Sequence, residues 1–338
     1  MREAFIDKKF SAGHRRLIGQ MEVVIAEYLV QGYRLTLRQL YYQLVARAMV
    51  PNNPLSYKRV GYVLSDARLA GLVDWDSIVD NGRSTAQNAH WERPGDIVID
   101  AAGWYRRDLW ADQEFYLEVF AEKDALSEIL GPACARWDVP YSANKGYSSS
   151  SALRAAGRRL EAALDEGRRV RIIYLGDHDP SGLDMTRDVR ERLGLFARYY
   201  RWDPALDEGR GGVDLNEDWW DRAAEAASPS FEVHRIALNH AQVIEFGLPP
   251  NPAKVQDSRF RAYEAQFGGE SWELDALSPG TLVGLVDEAV RAVLDPAKYD
   301  ARLELQQEEK AFLRVMAGRT QRGWDARAAA AARGTIGR

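Results

Sequence analysis

Three acidic side chains follow two short apolar segments near the middle of the chain. Glu122 comes directly after residues 116–121, while Asp177 and Asp179 come after residues 170–176. Each segment is rich in β-branched and aromatic residues and precedes a helical pattern, which predicts a buried strand with acid at its carboxyl end. Strands that alternate with helices form a parallel sheet, and ligands collect at the carboxyl ends of its strands. We therefore expect the three carboxylates to share one edge of a sheet.

This set of side chains suits a hard divalent cation. Mg²⁺ prefers carboxylate and water oxygens and takes further ligands from substrate phosphate, and no cluster of His or Cys lies nearby. We predict a site for Mg²⁺, or for Mn²⁺, at Glu122, Asp177 and Asp179. The alternative is structural, with Asp177 and Asp179 capping the helix that opens near Ser181. One cap needs only one Asp, however, and this segment supplies two.

A second candidate for chemistry is a pair of tyrosines nearer the N-terminus. Thr36 and Gln39 form a capping box that predicts the start of a helix. Tyr41 belongs to the apolar stripe of that helix, whereas Tyr42 is rotated by roughly 100° and leaves the stripe. Arg38 lies one turn earlier on the same face, and an exposed phenol beside a guanidinium is a candidate nucleophile toward phosphate. On these residues alone, a surface tyrosine with its hydroxyl in water is the preferred interpretation.

Three helices are predicted around Tyr42. They cover residues 14–31, 36–48 and about 57–70, and the last one carries Lys58, Arg59 and Arg68 outside its apolar face. Residues 71–79 are predicted as a short β-hairpin or wing. Short-linked helices with a basic last helix and a wing are typical of winged-helix DNA-binding domains. A small helical packing module explains the same pattern, and both interpretations stay open here.

The rest of the chain is predicted as an α/β body and a terminal helix. Residues 139–142 and 231–238 add strands to the sheet, residues 80–112 form a connector, and residues 198–230 form a polar surface insertion. We assign residues 1–100 to an N-terminal winged-helix domain and 101–300 to a parallel-sheet α/β domain with a C-terminal extension. Residues 301–338 are assigned to a terminal helix, which reaches about Met316, and a frayed tail.

Composition describes a soluble globular protein. Of 338 residues, 46% are hydrophobic and 28% are charged, with no apolar segment of membrane-spanning length and no signal-peptide core. The single cysteine, Cys134, falls on the apolar face of a predicted helix, so we expect a core residue and a cytoplasmic protein. The net charge is −5, yet residues 1–70 carry 11 Lys and Arg against 5 Asp and Glu. A basic N-terminal part on an acidic body favours a polyanionic partner.

The motifs, in their order along the chain, resemble one known family. They are Thr36-Leu-Arg38-Gln-Leu-Tyr41-Tyr42, Glu122-Lys123, Asn144-Lys145-Gly146-Tyr147-Ser148 and Asp177-x-Asp179-Pro-Ser-Gly182. This set is similar to that of the topoisomerase VI A subunit, the meiotic double-strand-break transesterases and their stand-alone bacterial and phage relatives. Residues 233–244 and 271–277 are also similar to later segments of that family. The resemblance covers residues 30–280 and implies a winged-helix domain followed by a Toprim domain.

The resemblance also implies a mechanism. Tyr42, the second aromatic residue of the family motif, would attack a phosphodiester of double-stranded DNA and form a 5′-phosphotyrosyl link. Glu122, Asp177 and Asp179 would hold the metal, and Arg38 would bind the attacked phosphate. Lys123 and Lys145 would lie along the DNA backbone, and Lys58, Arg59 and Arg68 would bind DNA as well. In the family the tyrosine of one protomer works with the metal site of the other, so a homodimer that makes double-strand breaks is implied. No segment resembles an ATPase transducer, so any ATP-dependent strand passage would need a partner subunit.

Three other functions fit parts of the pattern. A metal-dependent DNA nuclease on the same fold would use water in place of Tyr42. A phosphatase would use Asp177 as nucleophile and Asp179 as acid, but Pro180 and Ser181 replace the Thr or Val expected after the second Asp, and Glu122 is left without a role. A non-enzymatic DNA-binding adaptor would keep the acids as structural residues and would bind no divalent metal.

Overall fold

The computed structural model describes residues 2–79, 88–144, 146–199 and 230–335. The chain divides into two compact units, one formed by Met1–Arg83 and Phe115–Val293 and the other by Ser84–Glu114 and Leu294–Arg338. Lys145 and nearly all of the predicted insertion at residues 198–230 lie outside the described residues.

The first unit begins with a small helical core. Its elements are α1 (Ala12–Val30), β1 (Leu35–Thr36), α2 (Leu37–Ala46), α3 (Pro54–Leu69) and β2 (Ile78–Val79). The capping box at the start of α2 is confirmed, because the Thr36 hydroxyl accepts from the Gln39 amide and the Gln39 side chain accepts from the Thr36 amide. The three helices bury one another's apolar stripes, with Met21, Leu40, Leu44 and Val60 fully enclosed.

Residues 71–79 differ from their prediction. Instead of a β-hairpin, they form a 3₁₀ turn at Trp75–Ser77 followed by β2, which pairs in parallel with β1. Asp74 drives this turn locally, because its carboxylate accepts from the Asp76 amide at 2.8 Å and its carbonyl accepts from the Ser77 hydroxyl at 2.7 Å. These contacts compete with hairpin pairing, so the predicted wing is wrong for these residues.

A four-stranded parallel sheet forms the centre of the first unit. Its strands are β3 (Phe115–Ala121), β4 (Tyr141–Ala143), β5 (Arg169–Leu175) and β6 (Phe231–Ala237), in the spatial order β4-β3-β5-β6. The predicted α/β layout with a parallel sheet is confirmed. Strands β3 and β5 pair along their whole length, from Phe115 opposite Arg169 to Ala121 opposite Leu175. Their carboxyl ends are therefore level, which brings the residues that follow them to one edge.

Helices and a short antiparallel strand pair complete the first unit. They are α5 (Ser127–Arg136), α6 (Ser150–Asp165), α7 (Pro180–Tyr199), α8 (His240–Glu245), β7 (Asn251–Pro252), α9 (Phe260–Phe267), β8 (Glu270–Ser271) and α10 (Pro279–Arg291). Helices α6 and α7 share a core with the sheet around Leu153, Ile172 and Leu193. Cys134 is fully buried in α5, as predicted. A 3₁₀ turn at Leu274–Ala276 places Ala276 in the helical core of α1–α3.

The second unit is helical. It contains α4 (Pro94–Trp104) and α11 (Pro296–Thr335), which pack on each other. Arg107 forms an ion pair with Glu309, and Tyr105 donates to the same carboxylate. The predicted connector thus includes a helix, and the terminal helix continues past its predicted end at Met316. None of the helices in the described part of the chain combines the length and apolar character that crossing a membrane requires.

Candidate active site at the carboxyl edge of the sheet

Glu122 and Asp177 lie side by side where β3 and β5 end. The Glu122 amide donates to the Leu175 carbonyl at 2.9 Å, which continues the strand pairing by one residue. The Glu122 carboxylate then accepts from the Asp177 amide at 2.8 Å. Both side chains are buried, each with 6% exposure. The level ends of two paired parallel strands therefore bring these two predicted site residues together.

Two glycines permit this close arrangement. A Cβ atom at Gly176 would lie 2.8 Å from the Glu122 carboxylate, and one at Gly182 would lie 2.3 Å from the Asp177 carbonyl. Such distances are far below van der Waals contact, so neither position accepts a side chain without a shift of the acidic segment. The two glycines that flank the Asp-His-Asp-Pro-Ser motif thus leave room for the acids.

Asp179 has a different environment from its two predicted partners. Its Oδ1 accepts from the Gly182 amide at 2.6 Å and from the Ser181 hydroxyl at 2.9 Å, so it caps the start of α7. The capping role considered for both aspartates therefore applies to Asp179, while Asp177 makes other contacts. Among the described residues, no three Asp, Glu, His or Cys side chains are arranged as ligands of one ion.

A charge cluster that is buried at its acids Asp177 and Asp275 and open to solvent at Arg38 surrounds Lys123, the residue after Glu122. The Lys123 ammonium lies 2.7 Å from Asp177 Oδ1 and 3.1 Å from Asp275 Oδ2, and it also contacts Glu273. Arg38 of α2 pairs with the same two later acids, at 2.7 Å from Glu273 and 2.9 Å from Asp275. We call these five residues the Lys123 cluster. It joins the helical core to the edge of the sheet.

Backbone contacts hold the segment that supplies Glu273 and Asp275. His178 and Trp272 exchange two backbone hydrogen bonds, at 2.8 and 2.9 Å. The Asp177 carboxylate also accepts from the Leu274 amide at 2.7 Å. The acidic segment after β5 and the segment at residues 271–277 are therefore fixed to each other by both main-chain and side-chain contacts.

The pKa values of these acids follow from burial and from the two cations. Burial raises the pKa of Glu122 and that of Asp177, although Lys123 opposes the rise for both. Burial also works against ionised Glu273, but Lys123 and Arg38 prevail and lower its pKa to about 2. The same attraction raises the pKa of Lys123 despite its burial. Glu273 is thus the acid held most firmly in its charged form.

Tyr42 is buried, contrary to the prediction of an exposed phenol. Its side chain is 6% exposed, because residues 250–252 cover the face of α2 that leaves the apolar stripe. Its hydroxyl accepts from the Asn251 side-chain amide at 3.2 Å, and the Arg38 guanidinium lies 5.9 Å from its ring centre. Burial and Glu273 raise the pKa of Tyr42, while Asn251, Arg38 and Lys123 act in the opposite direction.

A cavity of about 560 Å³ opens beside Tyr42. Its lining consists of Arg38, Tyr41, Tyr42, Asn52, Asn53, Pro54, Tyr57, Asn251 and Pro252. A second cavity of similar volume is also lined by Arg38 and Tyr57, together with Arg68. Although Tyr42 has little exposed surface, its ring therefore borders a space large enough for part of a ligand.

The predicted DNA-binding residues have different surroundings. Lys58 and Arg59 are exposed on α3. Arg68 lines the second cavity together with Arg38, lies 4.4 Å over the Trp75 ring, and donates to the Trp75 carbonyl at 2.8 Å. Arg38 and Arg68 are thus brought to one cavity, whereas Lys58 and Arg59 face solvent elsewhere on the helix.

Sequence reasoning missed Arg235 as a residue of this site. From β6 its guanidinium donates to the carbonyls of Gly176, Asp177 and Gly182, at 2.9, 2.6 and 3.2 Å. Those contacts fix the backbone of residues 176–182 and put a positive charge near Glu122. The sequence feature that could have identified it is an arginine within a predicted strand whose apolar residues alternate. Glu273 and Asp275 lay in a segment that the family resemblance covered, but nothing local in the sequence predicted their pairing with Arg38 and Lys123.

No protein-family model, curated protein or solved structure matched this chain. The chemistry of the site must therefore be inferred from its own residues. Those residues provide buried carboxylates at a sheet edge, two cations that pair with acids, and a tyrosine beside an arginine and a cavity.

Proposed function

We propose that the protein cleaves double-stranded DNA by metal-dependent transesterification, with Tyr42 as nucleophile. The observation that carries the proposal is the Lys123 cluster, in which Arg38, four residues before Tyr42, shares Glu273 and Asp275 with the sheet edge that holds Glu122 and Asp177. A candidate nucleophile, a candidate phosphate ligand and paired acids thus belong to one connected site of a single chain. In this proposal each protomer therefore acts with its own metal site, and not with that of its partner as the family resemblance implies. The proposal assigns the sheet to a Toprim domain and the helical core to a domain of the winged-helix type, in which the parallel β1–β2 pair stands in place of the predicted hairpin wing.

Glu122, Asp177 and Asp179 would hold the metal once the Asp179 carboxylate turns away from its cap contacts with Ser181 and Gly182, since the three carboxylates are not arranged around one point in the structure. Their donor set consists of carboxylate oxygens, which suits Mg²⁺ or Mn²⁺, and the glycines at 176 and 182 leave space around the acids. When bound, the ion would neutralise negative charge on the phosphate and on the leaving oxygen. Burial raises the pKa of Glu122 and Asp177, which means that both carboxylates would gain from a cationic partner in their ionised form.

In the proposed reaction, Tyr42 Oη forms a bond to phosphorus as the bond between phosphorus and the 3′ oxygen breaks. The phenol proton passes to solvent, and the 3′ oxygen takes up a proton to give a free hydroxyl. Arg38 can bind the attacked phosphate once it exchanges Glu273 or Asp275 for that anion, since a guanidinium pairs with carboxylate and phosphate in the same bidentate way. Two protomers acting on opposite strands would produce a double-strand break, and an ATPase partner would be needed for strand passage.

A second candidate is a metal-dependent nuclease that uses water as nucleophile. Burial of Tyr42 favours this alternative, because burial raises the pKa of the phenol and disfavours the phenolate. The acids at the sheet edge would serve either reaction. The two functions therefore differ in one residue only, and Tyr42 decides between them.

Plasmid cleavage in Mg²⁺ or Mn²⁺, analysed with and without proteinase before electrophoresis, tests the proposal. Wild-type protein should give linear DNA that enters the gel normally only after proteolysis. Tyr42→Phe and Asp177→Asn should abolish this product, whereas Tyr62→Phe, a matched change at a 75% exposed tyrosine of α3, should leave it intact.

Cleavage that survives in Tyr42→Phe but not in Asp177→Asn would replace the transesterase with the nuclease. Absence of cleavage in wild type, with DNA binding retained and no metal-dependent change in stability, would support the adaptor instead.

A further inference from the structure

A chain of side-chain hydrogen bonds ends at the Tyr42 hydroxyl. Asn52 Nδ2 donates to the Pro250 carbonyl at 2.8 Å and to Asn251 Oδ1 at 2.9 Å. Asn251 Nδ2 in turn donates to Tyr42 Oη at 3.2 Å. Asn251, about 200 residues away in sequence, thus links Asn52 to Tyr42, and the last contact is to the atom that would attack phosphorus.

The orientation of both amides in this chain is fixed by a carbonyl group. A backbone carbonyl only accepts, so the Asn52 atom that faces Pro250 must be its nitrogen. The same nitrogen faces Asn251, whose nearer atom must then be the oxygen. It follows that Asn251 presents its NH₂ group to Tyr42. Asn251 is therefore a hydrogen-bond donor to the phenol oxygen, and the opposite amide orientation is excluded.

The backbone of Asn251 is held in place as well. Asn251 lies opposite Ser271 in the β7–β8 pair, and the Ser271 hydroxyl donates to the Asn251 carbonyl at 3.3 Å. Strand β8 leads directly into the segment with Glu273 and Asp275. The donor to Tyr42 is consequently attached to the same part of the chain that pairs with Arg38.

The two neighbouring tyrosines differ in what their hydroxyls contact. The Tyr41 hydroxyl accepts from the Asn53 amide at 2.9 Å and lies within hydrogen-bond distance of the Pro51 and Asn53 carbonyls and of Asn52 Oδ1. These contacts give Tyr41 a structural role in the turn between α2 and α3. Tyr42, by contrast, receives a donor whose effect is to favour negative charge on its oxygen.

We propose that Asn251 is a catalytic residue that donates to the Tyr42 oxygen and stabilises its negative charge during attack, with Asn52 as the residue that positions the Asn251 amide. This inference rests on the proposed function. The charge on the Tyr42 oxygen is greatest in the phenolate before attack and falls as the bond to phosphorus forms, so the donor acts mainly by raising the fraction of the phenol that is ionised. Here the charge is on the nucleophile, which needs help because a phenol ordinarily ionises near pH 10.

The electrostatic surroundings of Tyr42 define what the donor must offset. Arg38 faces Tyr42 from the same helix, Lys123 from the end of β3, and Glu273 from the 3₁₀ segment. Burial and Glu273 raise the pKa of Tyr42, and the two cations and Asn251 lower it. Without the Asn251 donor, the phenol should ionise at higher pH and react more slowly near neutrality.

The test measures the ionisation of the phenol at position 42 directly, in the absence of DNA. Full-length protein is made with 3,5-difluorotyrosine at position 42, because the phenol of this analogue is more acidic than that of tyrosine. Its ionisation is followed by ¹⁹F NMR during a pH titration. Four forms are compared: the protein without a further change, Asn251→Asp, Asn251→Ala and Asn52→Ala. Asn88→Asp, at an exposed asparagine, controls for the added negative charge. We expect the midpoint to rise by about one pH unit or more in both Asn251 variants, which is a tenfold fall in ionised phenol at a given pH. Asn52→Ala should show a smaller rise, and the control no change.

Covalent cleavage provides the second readout. Asn251→Ala with ordinary Tyr42 should form phosphotyrosyl product about tenfold more slowly at neutral pH, and the deficit should shrink as the pH rises or when difluorotyrosine replaces Tyr42. A general loss of structure would produce neither form of recovery.

An unchanged midpoint in both Asn251 variants would overturn the inference, as would wild-type cleavage rates in Asn251→Asp. Wild-type protein that never forms a phosphotyrosyl product would instead contradict the proposed function, while the titration would still decide whether Asn251 acts on the phenol.

Discussion

The Lys123 cluster and a second charge cluster around Arg259 use the same residue types in opposite surroundings. Arg259 pairs with Asp184 at 2.6 Å and Asp257 at 2.7 Å, and its own side chain is 36% exposed. In the Lys123 cluster, Lys123 is 16% exposed and Asp275 is completely buried, whereas Arg38, at 41%, is as accessible as Arg259. Exposed pairs are screened by water and contribute little, whereas loss of one partner from a buried group leaves a charge without compensation. Similar ion-pair distances therefore conceal very different energetic consequences.

The clusters also differ in which parts of the chain they connect. Arg259 pairs with Asp257, two residues away, and also with Asp184 of α7 and the Tyr147 hydroxyl, which are 75 and 112 residues away. Arg38, Lys123 and Asp275 come from the helical core, the sheet edge and the 3₁₀ segment. Both clusters therefore join distant segments, and of the two the Lys123 cluster is the one that joins the helical core to the sheet edge.

The largest expected effect on stability is the loss of the Lys123 charge, and it distinguishes the two clusters most clearly. Lys123→Met should lower the free energy of unfolding by about 3–5 kcal/mol, because Asp177, Glu273 and Asp275 would then repel one another without their shared cation. Urea unfolding at pH 7 measures the change. Lys58→Met, at an exposed position of α3, is the control and should be near neutral. A loss below 1 kcal/mol for Lys123→Met would mean that burial does not distinguish the two clusters.

Acid should weaken the Lys123 cluster through Glu273. Its pKa is lowered from 4.5 to about 2, so its contribution to stability is fully present above pH 4.5 and disappears as the pH falls through 2. Glu273→Gln should cost on the order of 2–3 kcal/mol at pH 7, and the difference from wild type should narrow steadily below pH 4.5. Urea unfolding over this pH range checks the slope. A difference that stays constant down to pH 2 would show that ionisation of Glu273 is not the cause.

The effect of pH on stability should have the opposite sign for Glu122. Its pKa is raised by burial, so ionisation costs stability as the pH rises through its folded-state pKa. Glu122→Gln keeps an acceptor for the Asp177 amide and removes the charge, and it should stabilise the metal-free protein by about 0.5–1 kcal/mol at pH 8 but not at pH 4. Thermal unfolding at the two pH values measures this gain, with the exposed Glu128→Gln as control. Glu122→Gln should also lose cleavage activity. If Glu122→Gln were less stable than wild type at pH 8 and fully active, both expectations would be contradicted.

The smallest effect is expected at the exposed cluster. Arg259→Met should change the free energy of unfolding by no more than about 1 kcal/mol, and this small loss should shrink further in 0.5 M salt because the pairs are exposed to water. Urea unfolding at low and high salt tests this. A loss as large as that of Lys123→Met would remove the distinction between the clusters.

Local signals in the sequence predicted part of this site. The strand ends at Glu122 and Asp177 follow from residue type and alternation, and the capping box at Thr36 follows from a spacing of three residues, so both were accessible without tertiary contacts. The burial of Tyr42 was not, because helical geometry shows which face leaves the apolar stripe but not that residues 250–252 cover it. A turn capped by the Asp74 side chain formed in place of the expected wing, and the alternation used to predict a hairpin does not consider such side-chain caps.

The placement of Ala276 in the helical core of α1–α3 has a consequence for synthesis of the protein. More than 230 residues separate Tyr42 from Ala276, and at about 5–20 residues per second a ribosome needs roughly 10–50 s to make them. During that interval the first three helices have left the ribosome without the residue that completes their packing. The site around Tyr42 is therefore assembled late on the nascent chain, well after its own helix has been made.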